Sequence, residues 1–136
     1  MNHFDIVPYG SGVSIKVSGS TRAGMLVAAV KGIAAATESA PTDAGSSESD
    51  RTFSLKAKDF GELTAILIQE MLSDVTKHGE AYSDVKFTLI TDKAADGAFI
   101  ARPGKMSGAF SLSTEQAIEP AKNGEGMWET EFVLVS

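Results

Sequence analysis

The chain contains no cysteine. Disulfide staples, thiol nucleophiles and Cys-ligated zinc are therefore excluded. Histidine is almost as scarce, with only His3 and His78. Neither lies near a serine arranged as a nucleophile, and no H-x-x-x-H spacing occurs, so histidine catalysis and a histidine zinc site have no support. Basic residues are outnumbered by acidic ones, 12 to 18, for a formal net charge of −6. A protein that grips nucleic acid by itself clusters Lys and Arg against phosphate, so direct nucleic-acid binding is not expected. No apolar run approaches the ~20 residues of a membrane span. The start, MNHFDIVPYG, has neither the basic nor the apolar region of a signal peptide. The expectation is a soluble cytoplasmic protein without a membrane partner.

What is present suits one globular domain over residues 1–136, with a hydrophobic fraction of 43% and a charged fraction of 22%. The longest periodic stretch is LKAKDFGELTAILIQEMLSDVTKHG at 55–79. Its spacing predicts a helix from about Phe60 to Lys77. Asp59 stands as N-cap and Glu62 three residues on, the arrangement of a capping box. Phe60, Leu63, Leu67, Ile68, Met71 and Val75 fall on one stripe, with Glu62, Gln69, Ser73 and Thr76 opposite. Burying that stripe contributes on the order of 10 kcal/mol gross, at 1.5–3 kcal/mol per large side chain. Lys77 and His78 suit the helix C-terminus, and Gly79 its stop. Asp74 projects onto the edge of the stripe, either as a solvated helix end or facing a partner.

A first helix is predicted from about Arg22 to Thr37, with Met25, Leu26, Ala29, Val30 and Ile33 buried. Its small residues, Gly24, Ala28, Gly32 and Ala35, permit close approach of a sheet or helix. Residues 4–18 read as extended, interrupted by a turn or bulge at Pro8-Tyr9-Gly10-Ser11-Gly12. A phosphate loop would need a helix directly after these glycines, and a strand follows instead. Residues 38–51 read as a surface loop. Its Glu38, Asp43, Glu48 and Asp50 lack the spacing of a calcium loop, so they read as solvated charge.

Phe53, Leu55 and Ala57 alternate with polar residues as a half-buried strand. Val85–Thr91 and Ala98–Arg102 read as strands joined through DKAADG, with Asp96-Gly97 as the hairpin turn. Ser107–Ser113 reads as a further extended piece, Thr114–Ala121 is ambiguous, and 123–126 is a loop. Trp128, the sole tryptophan, reads as a core residue. It opens a final strand, WETEFVLV, whose apolar second half suits the middle of a sheet. The fold class that results is α+β, two helices packed on one face of a mainly antiparallel sheet. No pair of carboxylates is singled out for catalysis. The chain reads as an accessory or binding protein, not an enzyme, and no cofactor is expected.

Several of these stretches resemble the archease family, small proteins of the SHS2 fold that assist the RNA ligase joining tRNA halves. DFGELTAILIQEMLSDV at 59–75 runs without gaps against the family's helix pattern, with Asp59, Glu62, Leu63 and Glu70 in place. GSTRAGMLVAAVKGI at 19–33, FDIVPYGSGVSIKV at 4–17 and the closing GMWETEFVLV are similar to three further family segments. The resemblance implies the SHS2 fold and a protein partner, an RNA ligase.

It also places the family's metal-ligand positions at Gly12, Ala121 and about Val135 or Ser136, where no carboxylate or imidazole remains. A hard divalent cation needs several oxygen ligands, so no metal is expected there. His3 and Asp5, a substitute pair, lie on the preceding strand. Three readings follow: a metal-free accessory protein that binds a partner; a ligase cofactor with a remodelled acidic site using Asp74, Glu119 and Glu131; or an unrelated small-ligand binder or assembly subunit.

Overall fold

The computed structural model describes residues 2–36, 40–41, 49–78, 80–105, 110–113 and 118–135. The chain opens with a hairpin of β1 (His3–Tyr9) and β2 (Gly12–Gly19), paired from His3↔Ser18 to Tyr9↔Gly12. Gly10 turns it with φ of 58°, a left-handed conformation that costs glycine little. The bend expected at 8–12 is this turn. α1 (Arg22–Ala36) follows, then β3 (Ala40–Pro41), β4 (Ser49–Lys56) and α2 (Phe60–His78). β5 (Glu80–Ile90) and β6 (Ala94–Lys105) form a long hairpin. β7 (Ser111–Leu112), β8 (Ala121–Lys122) and β9 (Trp128–Val135) complete the chain.

Among the described residues all strand pairs are antiparallel, and they divide into two sheets. One has five strands, with β9 between β2 and the short β7 and β8. The other has four, with β6 paired to β3, β4 and β5. The α+β class with two helices and antiparallel strands therefore holds, and β9 takes the central place its apolar half requires. The single sheet expected from the strand pattern is instead two. Period-two alternation fixes which face a residue occupies, not which strand is its neighbour.

α2 begins as its sequence indicates. Asp59 Oδ1 accepts from the Glu62 N–H at 2.8 Å, and Glu62 Oε1 accepts from the Lys58 N–H at 3.3 Å. Phe60, Leu63, Leu67, Ile68 and Met71 are all buried, joined by Leu72 and Thr64. The Thr64 hydroxyl is satisfied by donating to the Phe60 carbonyl at 2.8 Å. The helix runs one residue beyond the expected Lys77, to His78. Gly79 lies outside the described residues, as do the side chains of Val75, Thr76, Lys77 and His78.

α1 is the helix buried most evenly, with Gly24, Met25, Leu26, Ala28, Ala29, Val30, Gly32 and Ile33 all covered. It packs on β1, β2 and β9 of one sheet and on β5 of the other. Its small residues make this possible: a Cβ on Gly32 would stand 3.0 Å from Ile15 Cγ2 and 3.4 Å from Phe4 Cβ. The second sheet contributes a ring cluster, with Tyr82 stacked on Phe99 at 4.8 Å and Phe53 tilted on Phe99 at 4.9 Å.

β5 begins at Glu80, ahead of the expected Val85, and β6 runs to Lys105, past the expected Arg102. Two further boundaries differ. The β5–β6 turn lies at Thr91-Asp92-Lys93, where Thr91 Oγ1 accepts from the N–H groups of Lys93 and Ala94 at 3.1 and 2.9 Å. Asp96-Gly97 sits inside β6, opposite a bulge between Phe87 and Leu89. A Cβ at Gly97 would collide with the Lys86 carbonyl, so this glycine permits close strand approach where the sequence suggests a turn. Second, part of the expected 38–51 loop is strand. β3 lies within it and β4 begins at Ser49, with Asp50↔Ile100 and Arg51↔Phe99 paired. Polar residues are tolerated there because β4 is an edge strand with exposed outward side chains. Glu38, Asp43 and Glu48 lie outside the described residues.

These contacts set an order of stability losses. Leu63→Ala should lower the unfolding free energy by about 2–5 kcal/mol, and Asp59→Ala by about 1 kcal/mol. Urea unfolding followed by circular dichroism measures both, and equal small losses would contradict the assigned roles.

Candidate functional site

The hairpin register decides which side chains share the outer face of the five-stranded sheet. Ile15, Val17 and Phe132 point into the core, so their neighbours along each strand point out. Across β1, β2 and β9 the outer rows are His3–Ser18–Glu129, Asp5–Lys16–Glu131 and Val7–Ser14–Val133. Tyr9 and Gly12 extend this face at the turn end. One end of the face is therefore charged and the other apolar, with Val133 itself buried. Val7 and Tyr9 are 57% and 51% exposed. His3 Nε2 lies 3.2 Å from Asp5 Oδ1, but both side chains are well exposed, and such a pair adds little stability.

The three expected acidic residues do not meet in one site. Glu131 lies on the outer sheet face opposite Lys16. Asp74 is half-buried near the end of α2. Glu119 lines a separate cleft of about 420 Å³ with Lys58, Asp59, Glu62, Gln69 and Ile118. That cleft exists because α2 begins hard against the 118–120 segment: a Cβ on Gly61 would collide with the Ile118 carbonyl. Lys58 Nζ, 3.9 Å from Glu62 Oε2, offsets part of its negative charge.

The expected metal-ligand positions are also divided. Gly12 lies against Leu134 and Val135, where a Cβ would collide with the Leu134 carbonyl. Ala121 pairs with Glu129, six positions back along β9 from Val135. At ~3.3 Å per strand residue that separation is roughly 20 Å. Glycine, valine and alanine supply no side-chain oxygen, and a carboxylate at position 12 would meet backbone. The residues present do not fit a divalent cation, and no group of three or more His, Asp or Glu among the described residues is placed to hold one.

Two features lie beyond what the sequence reading identified. The apolar end of the outer face, Val7 and Tyr9, was signalled by the period-two spacing of His3, Asp5, Val7 and Tyr9. The clustering of Arg22, Lys122 and Trp128, described below, joins segments far apart in sequence, and no local pattern marks it. No described helix is long and apolar enough to cross a membrane.

No family model matches the chain, and no curated protein matches it by sequence. Solved structures match it by fold. An archease, described as a possible chaperone, from Thermotoga maritima shares 10% identity, with a TM-score of 0.66 over 96% of this chain and 94% of the other. Protein 1598 of Methanobacterium thermoautotrophicum, solved in solution, shares 11% identity, with a TM-score of 0.68 over 98% of each chain. At such identities the likeness establishes the fold, and that fold is archease-like.

The local geometry at Gly12 makes a direct prediction. Gly12→Asp should be less stable than the wild type, because its side chain meets the Leu134 carbonyl, and it should gain no manganese or calcium affinity in calorimetry. A folded variant that binds either ion tightly with one-to-one stoichiometry would contradict the account.

Proposed function

We propose that this chain is an archease-like accessory protein that acts by contacting a protein partner, with an RNA ligase of tRNA processing as that partner, and that it does so without a resident metal. The observation that carries the reading is the outer sheet face. Val7 and Tyr9, both on β1 and both on this face, are two of the four large apolar side chains that stand exposed among the described residues. They lie on the edge strand of their sheet, beside the row Asp5–Lys16–Glu131. Exposed apolar surface rimmed by charge is the composition of a protein interface. A net charge of −6 disfavours direct grip on RNA and leaves protein contact as the route to an RNA-processing enzyme. The possible-chaperone description of the Thermotoga maritima structure is compatible with the same mode of action.

The small-ligand reading has one observation in its favour, the cleft lined by Glu62 and Glu119, whose volume of about 420 Å³ falls in the range of ligand pockets. A small molecule that raises Tm in the wild type but not in Glu119→Ala would favour it.

The first reading is tested by joining of tRNA halves with the RNA ligase of the same organism. Adding the chain should raise the ligation rate, and the double substitution Val7→Lys, Tyr9→Lys should reduce that gain at least tenfold while leaving the fold intact. No acceleration by the wild type, or full acceleration by the variant, would overturn it.

A further inference from the structure

A second feature lies on the inner-face row of the same sheet, away from Val7 and Tyr9. In that row Gly19, Trp128 and Lys122 are cross-strand neighbours. Gly19 leaves room above it, and α1 starts there: a Cβ on Gly19 would collide with the Met25 N–H. The first residue of α1 is Arg22. Its guanidinium carbon lies 4.5 Å from the centre of the Trp128 ring and 5.7 Å from that of Phe60. Lys122 Nζ lies 5.7 Å from the same Trp128 centre. Phe60 fixes the indole edge-on, with the ring centres 5.5 Å apart.

Three aspects of this arrangement are unbalanced electrostatically. First, two cations are drawn to one ring in a chain of net charge −6, yet among the described residues neither forms an ion pair. Second, Arg22 Nε is buried and has no hydrogen-bond partner among the described residues. A buried donor without an acceptor is unfavourable, and more so on a charged group. Third, Arg22 opens a helix of 15 residues whose first turn holds no acidic side chain. A helix N-terminus carries partial positive charge, so a cation there is opposed by the helix and not stabilised by it. The Thr21 hydroxyl oxygen caps this end by accepting from the Gly24 N–H at 2.9 Å, but it brings no negative charge.

We propose that Arg22 and Lys122, gathered at Trp128, form a binding site for an oxyanion, a carboxylate or phosphate group. The planar guanidinium offers forked donors that match either anion. The rings of Trp128 and Phe60 exclude water on one side and strengthen the attraction. Arg22 and Trp128 are half-buried and Lys122 is exposed, so the site borders solvent although Arg22 Nε itself is covered. The site does not depend on the outer-face reading.

Trp128 is the only tryptophan, so its emission reports on this site alone. The test titrates the full chain with sodium phosphate and, separately, sodium acetate, each at constant ionic strength against sodium chloride. A saturable change in emission is expected with at least one anion. Its midpoint should rise at least tenfold in Arg22→Gln and also rise in Lys122→Gln. The phosphate and acetate arms distinguish the two sources of the oxyanion. A change no larger than that from chloride, or saturation with unaltered midpoints in both variants, would overturn the proposal. Circular dichroism checks each variant, and should Arg22→Gln fail to fold, Lys122→Gln decides the matter.

Discussion

The structure depends on α1 lying between two sheets. Its apolar residues are distributed around the helix, so it can face both sheets at once. Burial of Met25, Leu26, Val30 and Ile33 contributes about 1.5–3 kcal/mol for each side chain. Close packing at Gly32 and Gly19 lets the helix approach β2 at backbone distance. α2 adds cover on β4, β5 and β6 of one sheet and on β7 of the other. Its placement also fixes Arg22 over Trp128 and so brings the start of α1, β8, β9 and the start of α2 to one locus.

The role of α1 was the least legible part of the fold. α2 announces itself through Asp59, Glu62 and a one-sided stripe, because an amphipathic helix shows its single buried face as a period. A helix buried on several sides shows no such period, although its composition signals burial. The central place of β9 was legible from the continuous apolar run Phe132–Val135. The turn at Thr91–Lys93 was not, because the Thr91 hydroxyl organises it while Asp96-Gly97, the stronger turn signal, serves a close strand approach. The division into two sheets was hidden for a similar reason. Strand partners are chosen by tertiary packing, which alternation does not encode.

The candidate site was legible only in part. The resemblance assigned Gly12, Ala121 and Val135 to one site; Gly12 and Val135 are together in space, but Ala121 lies near the other end of β9. Asp74, Glu119 and Glu131 share a charge sign and no location. The two faces of the five-stranded sheet do carry organised surfaces. The outer face joins charge to an apolar edge, while the inner-face row ends in two cations on one indole. Such surfaces allow a protein to act by contact and by charge.

The claim that α1 joins the two sheets into one cooperative unit is tested most directly by native-state hydrogen exchange. The slowest amides of β2 and β9 should exchange with the same opening free energy as those of β5 and β6, and both should equal the global unfolding free energy. Exchange of either sheet at a markedly lower free energy than the other would show that the sheets open independently and would contradict the account.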